Sequence, residues 1–308
     1  MVKIKHHFDP SFFDEEERYG FHIEKWRKEV WAVELDLLYE LDRVCKELNL
    51  QYFLSFGCLI GAARDGHFIP WDDDIDLVMM RHDYDILVQK GPAHFKSPYF
   101  LQTGYNEIGY FKGHSQLRNS DTCGALPNEI DRVPYNQGIF IDIFVLDYFH
   151  DDLIKKQTRK KVGIGKKYGI LEYKDKKSNL KTFIKKYYRK FLKGKYHTLS
   201  DLYAKYDDVF RTNKTEFVEN LLFRTGRTKE LHKFPAEWFE KPKYLRFEDG
   251  VFPVPDQYDK FLAMRYGKDY LTPKQIPNTH SKHGSVIFDT DKSYLEIIKM
   301  RKDTQNNK

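Results

Sequence analysis

Four aspartates lie within five positions, immediately before an apolar segment: Asp72, Asp73, Asp74 and Asp76. Charges of one sign this close together repel each other, and folding alone does not require them. A divalent cation such as Mg²⁺ or Mn²⁺ offsets the repulsion, because carboxylate oxygens are the ligands that such hard cations prefer. The cluster therefore predicts a metal site.

Two predicted strands carry the candidate carboxylates. Residues 74–80 alternate with period two, which places Asp74 and Asp76 on one face, and Asp72 lies just before the strand in the same register. A second strand is predicted over 138–147, where Asp142 interrupts an apolar run. Burying a lone carboxylate is costly unless it is paired or binds a metal. We take Asp74, Asp76 and Asp142 as candidate catalytic residues, with Asp72 added to them as a metal ligand. The alternative for Asp142 is a structural pairing with a nearby arginine or backbone amide.

A glycine-marked turn precedes the acidic cluster. Residues 52–56 predict a short buried strand, and Gly57 is expected to turn it into a helix over 57–64 that contains Gly61. Amides at a helix N-terminus can hold phosphate, so both glycines are candidate substrate-binding positions, with tight packing as the alternative. Arg64 is expected either to bind substrate and stabilise the leaving phosphate or to be a structural partner of the acidic cluster.

A calcium-binding loop is a competing interpretation of the same aspartates. Asp72, Asp74 and Asp76 have the one-three-five spacing of an EF-hand. The sixth position, however, is Leu77 instead of glycine, and the twelfth is Asp83 instead of glutamate. The apolar run after Asp76 also favours a strand over a loop.

Composition limits the class of protein. The 308 residues include 52 Lys+Arg and 46 Asp+Glu, a formal charge of +6 that suits phosphate-bearing substrates or an anionic membrane surface. Three cysteines without CxxC spacing argue against a zinc ribbon or a disulfide framework. The N-terminus does not resemble a signal peptide, and no stretch approaches the ~20 apolar residues of a membrane span. A cytoplasmic location is expected, either free or at the inner face of the membrane. Nucleic acid is not an expected partner, because no RNA-binding motif is present.

Other segments predict the scaffold. Apolar residues at helical spacing predict an amphipathic helix from residue 23 that ends near Asn49, and a further helix over 81–90. Residues 199–213 predict another helix, and 244–255 predict a hairpin. A last helix is expected over 256–266, with Asp256 as its N-cap and Gly267 as its C-cap. The Lys-rich stretch 151–194 predicts surface helices, either solvated or facing an anionic membrane or polymer.

Three blocks of this sequence resemble the LicD family. The first runs from Gly57 through Gly61 and Arg64 to the block Pro70-Trp71-Asp72-Asp73-Asp74-Ile75-Asp76. The second is the acidic strand 138–147. The third comprises Tyr258-Asp259, Leu262, Tyr266-Gly267, Asp269-Tyr270 and Pro273. The basic residue and histidine that family members often carry beyond that proline align loosely here, at Lys274 or Lys282 and at His280 or His283.

The resemblance implies an α+β fold with a nucleotidyltransferase-like mixed sheet flanked by helices and an added helical, Lys-rich segment. The expected division is a catalytic core at 1–150, a basic helical insertion at 151–240, and a C-terminal segment at 241–308 that packs back on the core. The implied activity is metal-dependent transfer of phosphocholine from CDP-choline to a sugar hydroxyl of a glycan or lipid-linked acceptor in lipopolysaccharide, teichoic acid or capsule synthesis.

Several alternatives remain at this point. Fukutin-like relatives transfer pentitol phosphate, so another CDP-alcohol such as glycerol or pentitol phosphate is a second donor class. A nucleotidyltransferase that releases pyrophosphate would keep the fold and change the reaction. A metal- or polyanion-binding module without catalysis is the non-enzymatic alternative.

Overall fold

The computed structural model describes residues 4–126, 129–130, 132–172, 191–193, 195, 198–223, 231–274 and 287–306. It has a mixed sheet flanked by helices, so the α+β prediction is confirmed. The helices are α1 (Lys25–Leu48), α2 (Phe56–Arg64), α3 (Arg81–Lys90), α4 (Asp151–Glu172), α5 (Leu199–Asp207), α6 (Tyr258–Tyr266) and α7 (Tyr294–Asn306). Short 3-10 turns span Pro10–Phe13, Gly91–Ala93, Asp208–Phe210 and Ala236–Phe239.

The strands are short apart from one. They are β1 (Glu16–Arg18), β2 (Phe21–Ile23), β3 (Phe53–Leu54), β4 (Asp76–Met80), β5 (Tyr99–Gln102), β6 (His114–Asn119), β7 (Cys123–Ala125), β8 (Ile139–Tyr148), β9 (Phe217–Glu219), β10 (Phe234–Pro235), β11 (Lys243–Phe247), β12 (Gly250–Val254) and β13 (Ile287–Asp289). The hairpin predicted over 244–255 is the antiparallel pair β11–β12.

Strand β8 is the centre of the main sheet. One of its edges pairs in parallel with β4, and the other pairs antiparallel with β6 and, at its last two residues, with β9. Strand β3 lies outside β4, β5 outside β6, and β10 outside β9. Apolar side chains fill β8 on both faces, as expected of a central strand. Asp142 therefore lies in the middle of the sheet.

Helix α1 supports the turn that leads into the acidic cluster. Its apolar face is buried, and Asn49 ends it in the left-handed conformation, as its position in the sequence predicted. The Trp31 ring stacks on Phe68 with 4.6 Å between centroids. Trp31 Nε1 and Arg27 Nη1 each donate to the Asp72 carbonyl oxygen at 3.1 Å. The backbone of the cluster is thus held by buried side chains of α1.

A buried ion-pair network joins the far end of the sheet to α3 and α5. Arg81 donates two parallel hydrogen bonds to Asp147, at 2.7 and 2.9 Å, and a third to Asp207 at 2.8 Å. Both carboxylates are almost fully buried. Because Asp147 ends β8 and Asp207 ends α5, the network fixes a helix from the 151–240 range against the sheet, to which β9 and β10 of the same range also belong.

Some predicted boundaries were wrong by a few residues. The predicted strand 52–56 is reduced to β3, because Phe56 already belongs to α2. Helix α5 stops at Asp207, and the N-cap of α6 is Gln257 instead of Asp256, while its C-cap is Gly267 as predicted. His280, Lys282, His283 and much of the Lys-rich stretch lie outside the described residues. Within the described ranges, no helix is long and apolar enough to cross a bilayer.

Candidate active site

Three neighbouring strands present one polar face. Asp76 of β4 lies directly beside Asp142 of β8, and Asp142 lies directly beside Gln116 of β6. Residues opposite each other on paired strands point to the same face. Two residues further along, Phe144 of β8 faces His114 of β6. The register thus brings the two predicted carboxylates into one row.

Asp142 is buried and held in place by polar neighbours. Gln116 Nε2 donates to Asp142 Oδ1 at 2.6 Å, and His114 Nε2 lies 3.3 Å from the same oxygen. Burial alone would raise the pKa of Asp142, but the His114 ring, Lys112 and the Gln116 amide lower that pKa to about 2. The carboxylate therefore stays ionised at neutral pH. The alternative partner considered for Asp142, an arginine, contacts it only indirectly, through Gln116.

That indirect partner is Arg118. Its Nη2 donates to Gln116 Oε1 at 2.5 Å, which fixes the orientation of the amide whose other end holds Asp142. Arg118 also donates to Gln102 Oε1 at 2.6 Å and to the Gly138 carbonyl oxygen at 2.5 Å. The result is a continuous chain of hydrogen bonds from a buried guanidinium to the carboxylate.

The loop before β4 gathers the other aspartates. Asp72, Asp73 and Asp74 each offer a carboxylate oxygen, and the three oxygens lie within 4.8 Å of one another. Oxygen donors of this type and number suit Mg²⁺ or Mn²⁺. The sequence prediction placed Asp72, Asp74, Asp76 and Asp142 together as ligands; the compact group found here instead includes Asp73.

Cys58 of α2 fastens this loop from inside. Its thiol donates to the Asp74 carbonyl oxygen at 3.4 Å and accepts from the Asp76 amide at 3.3 Å. Burial raises the pKa of the Cys58 thiol well above its usual value, and the three nearby aspartates raise it further. Cys58 is thus a neutral structural bridge between the backbones of two candidate catalytic residues.

Glu34 and Arg27 of α1 lie beneath the same loop. Burial raises the pKa of Glu34 well above its usual value, and Asp73, Asp74 and Asp72 add to the shift. The neutral form of Glu34 is favoured, so it adds little to the repulsion. The Arg27 guanidinium is buried nearby and supplies positive charge to Asp73 and Asp72.

The two predicted glycines do different things. A Cβ on Gly57 would lie 1.9 Å from Asp72 Oδ2, so this glycine gives the Asp72 carboxylate room against α2. A Cβ on Gly61 would lie 2.2 Å from the His67 carbonyl oxygen, a contact with backbone. The sharp turn expected at Gly57 is instead made by Phe56, whose φ is +48°. A left-handed phenylalanine is strained, and here it sets the position of a ring beside the site.

Arg64 lies at the opposite end of α2 from the acidic loop. Eight residues of helix separate it from Phe56, a rise of about 12 Å. Its Nε donates to Asp65 Oδ2 at 2.7 Å, and its guanidinium lies over the Tyr19 ring at 4.9 Å. The structure therefore does not bring Arg64 together with the predicted carboxylates or with Gly57.

A cavity of about 460 Å³ opens on the polar face. Asp74, Asp76 and Asp142 line it together with Lys112 and Arg118. Its aromatic lining residues are Phe56, Phe140, Phe144, Tyr206 and Phe223. Carboxylates, cations and aromatic rings therefore line one open cavity.

The end of α6 approaches the same region. The Arg265 guanidinium lies 4.0 Å over the Phe56 ring. Desolvation raises the pKa of Tyr266, the positive charge of Arg265 acts in the opposite direction, and the negative charges of Asp76 and Asp72 raise that pKa further. Tyr270 Oη donates to Asp259 at 2.5 Å and closes the C-terminal block behind them.

Sequence reasoning missed the residues that β6 and the preceding loop contribute. The alternating polar residues His114, Gln116 and Arg118 of β6 are a usable signal of a polar strand face. Lys112 carried no such signal. Its place in the cavity follows from long-range pairing of β6 with β8.

Comparisons with known proteins agree with this geometry. Residues 49–161 match the family model described as LicD/FKTN/FKRP, nucleotidyltransferase domain. The chain is 24% identical over 261 residues to the lipopolysaccharide cholinephosphotransferase LicD of Haemophilus influenzae. The aligned region covers 82% of this chain and 95% of that protein. It is 30% identical over 141 residues to the uncharacterized protein RP689 of Rickettsia prowazekii, covering 43% of this chain and 49% of that protein. The matched range contains the acidic loop, β6 and β8, so the candidate site lies in the part of the chain that is similar to this nucleotidyltransferase domain.

Proposed function

We propose that this protein transfers phosphocholine from CDP-choline to a sugar hydroxyl of a cell-surface glycan, with release of CMP. The observation that carries the proposal is the cavity in which Asp74, Asp76 and Asp142 lie beside two cations and several aromatic rings. The similarity to a lipopolysaccharide cholinephosphotransferase over 82% of the chain supports a transferase of this kind.

The cavity matches the two charges of phosphocholine. Aromatic faces bind quaternary ammonium groups through cation–π attraction. The rings of Phe144 and Phe223 lie on the cavity wall with 4.6 Å between their centroids. Lys112 and Arg118 supply positive charge for phosphate oxygens. The acceptor class follows from the relative's name, lipopolysaccharide, with teichoic acid or capsular glycan as the other candidates.

The acidic loop fits a divalent cation. Asp72, Asp73 and Asp74 would hold Mg²⁺ or Mn²⁺ through their clustered carboxylate oxygens. Such an ion, when bound, neutralises negative charge on the diphosphate and on the departing nucleotide. Cys58 and the α1 side chains hold the loop in the required shape.

The chain's own residues then position the two reactants. The acceptor oxygen forms a bond to the phosphorus that carries choline, and the bond from that phosphorus to the CMP oxygen breaks, with its electron pair leaving on CMP. The hydroxyl proton passes to Asp142 or to a group beside it, of which His114 is the neighbour at 3.3 Å. The row Asp76–Asp142–Gln116 fixes these groups relative to one another.

Product analysis tests the proposal. The purified protein is incubated with Mg²⁺, a glycan acceptor and CDP-choline, CDP-glycerol or CDP-ribitol, and CMP and pyrophosphate are measured. CMP release with CDP-choline is expected, and Asp76→Asn should lower its rate by at least about 100-fold. Asp152→Asn, at an exposed position of α4, is the matched control.

Two other outcomes would change the conclusion. Pyrophosphate from CTP, without CMP release from any CDP-linked donor, would establish the nucleotidyltransferase alternative, which the description of the matching domain favours. Preference for CDP-glycerol or CDP-ribitol would keep the reaction and replace the alcohol. Absence of all these activities in folded protein would refute the proposal.

A peripheral membrane contact would bring the enzyme to a lipid-linked acceptor. Helix α4 exposes a basic set together with apolar Leu153 and Val162. The basic positions are Lys155, Lys156, Arg159, Lys160 and Lys166. Basic amphipathic helices of this type bind anionic lipid surfaces.

A further inference from the structure

The cavity contains a buried cation that meets only neutral oxygens. Arg118 is 3% exposed, and its hydrogen bonds go to two side-chain amide oxygens and one backbone carbonyl. Among the described residues, no carboxylate lies within ion-pair distance of its guanidinium. Buried charges are normally compensated by a charge of opposite sign, because the desolvation cost is otherwise large. Arg118 therefore leaves a positive field in the cavity.

Lys112 adds a second positive charge to the same cavity. Its Nζ lies 5.4 Å from the centre of the Tyr110 ring, and no described carboxylate pairs with it. Burial lowers the pKa of Lys112, and the positive charge of Arg118 lowers it further; Asp142 and Glu129 act in the opposite direction from beyond ion-pair distance. The two cations thus repel each other, as the aspartates of the acidic loop do.

The backbone at Lys112 is firmly anchored. Tyr203 Oη donates to the Lys112 carbonyl oxygen at 3.1 Å. The next residue, Gly113, packs so closely that a Cβ there would lie 2.4 Å from the Leu222 carbonyl oxygen. The lysine side chain therefore extends into the cavity from a fixed base, unlike a surface lysine on a mobile loop.

We propose that Lys112, with Arg118 behind it, forms an anion subsite that binds phosphate oxygens of the donor. A diphosphate is the ligand class that the cavity fits, because one end can meet the acidic loop through a divalent cation while the other meets Lys112. The identity of the donor rests on the proposed function, whereas the anion subsite itself rests on the two cations. Lys112 is thus a substrate-binding residue, and Arg118, whose Nε, Nη1 and Nη2 each already donate to a protein oxygen, contributes through its charge.

Binding measurements on three variants test the subsite. Dissociation constants for CDP-choline, magnesium pyrophosphate and cytidine are measured by calorimetry for the wild-type protein, Lys112→Met, Lys112→Arg and the control Lys90→Met, at an exposed position of α3. Lys112→Met should weaken CDP-choline and pyrophosphate binding by about 10- to 100-fold and leave cytidine binding unchanged. Lys112→Arg should recover most of the affinity, and Lys90→Met should match the wild type.

The probes separate the two proposals. If the wild-type protein binds pyrophosphate through Lys112 but binds no CDP-linked donor, the proposed function fails and the anion subsite stands. If it binds CDP-choline equally well with and without the Lys112 amine, the subsite is wrong and the proposed function survives. If Lys112→Met lost as much affinity for cytidine as for pyrophosphate, the subsite would also be overturned, since the change would then have distorted the cavity as a whole. Failure of the wild-type protein to bind pyrophosphate or any CDP-linked donor would overturn both.

Discussion

Gly57 and Gly61 lie four residues apart on one helix, yet alanine should affect different properties of the protein at the two positions. A Cβ at Gly57 would meet the far end of a side chain, the Asp72 carboxylate, whereas a Cβ at Gly61 would meet the backbone of His67. A carboxylate can rotate away from an intruding methyl group, but a backbone carbonyl moves only with its segment. We expect Gly57→Ala to damage the site and Gly61→Ala to damage the fold.

The distances give the size of each effect. An ordinary contact begins at 3.4 Å, so Asp72 Oδ2 would retreat by about 1.5 Å from its present 1.9 Å. That displacement is large enough to remove Asp72 from a cluster whose oxygens span 4.8 Å. We expect Gly57→Ala to lower Mn²⁺ affinity by about 10- to 100-fold, as disturbed metal sites commonly do, with a loss of about 1 kcal/mol or less in stability.

Gly61→Ala requires the backbone at His67 to move by about 1.2 Å from its present 2.2 Å to reach the same contact distance. Forcing a methyl group into a packed interior costs about 1–3 kcal/mol. In this variant the metal ligands themselves are not touched, so Mn²⁺ affinity should change by less than about threefold, a shift of roughly 0.6 kcal/mol.

Urea unfolding and Mn²⁺ calorimetry on both variants separate these effects. Gly165→Ala is the control, because a Cβ there meets nothing within 4 Å. On helix α4 that change should stabilise the protein by roughly 0.5–1 kcal/mol, the difference in helix propensity. Unaltered Mn²⁺ affinity in folded Gly57→Ala protein would refute the reasoning about Asp72. A stable Gly61→Ala variant would refute the reasoning about the backbone contact.

Three further predictions concern the Cys58 bridge, the buried ion-pair network and the basic residues of α4. Cys58→Ala removes the thiol that bridges the backbones of Asp74 and Asp76; we expect a loss of about 1–2 kcal/mol in urea unfolding and a slower CMP release, and unchanged kinetics would contradict the bridging role. Arg81→Met leaves the buried Asp147 without its ion-pair partner, while Asp207 keeps Arg211 at 2.7 Å. The loss should cost about 3–5 kcal/mol in the same unfolding measurement, and a loss below about 1 kcal/mol would show that the network is solvated. Glutamate in place of the four basic residues within 155–160 should abolish sedimentation of the protein with phosphatidylglycerol vesicles. Each basic residue contributes about 1 kcal/mol to binding at an anionic surface. Persistent sedimentation of the variant would exclude α4 as the membrane contact.

The sequence was sufficient where function depends on local periodicity. Alternation along 74–80 selected Asp76, and its position as the lone charge of an apolar run selected Asp142; the parallel register of β4 and β8 brings them side by side. The alternation of His114, Gln116 and Arg118 indicates a polar strand face, but it could not show that this face, or Lys112, belongs to the site, because their place depends on which strand β6 pairs with. That pairing spans 20 or more residues along the chain and is decided by packing around β8.

The helix after β3 shows a second limit. Two glycines and an arginine in one short segment suggested a single phosphate-binding unit, but nine residues of helix carry their two ends about 12 Å apart. Gly57 therefore leaves room for the Asp72 carboxylate, while Arg64 pairs with Asp65 at the other end of the helix. Spacing along a helix fixes distance as well as face, and here distance decides which residues can act together.

The opposite charges on the two sides of the cavity together restrict the range of possible ligands more than either side does alone. The acidic loop by itself would fit a free cation, and the Lys112–Arg118 pair by itself would fit a free anion. Both sides open into one cavity of about 460 Å³, so a ligand that satisfies both must chelate a divalent cation and present further phosphate oxygens. A nucleoside diphosphate ester meets that requirement, whereas inorganic phosphate or a lone metal ion leaves one set of like charges uncompensated. The aromatic wall then separates the candidate esters, because a quaternary ammonium group gains from ring faces and a polyol loses its hydration there.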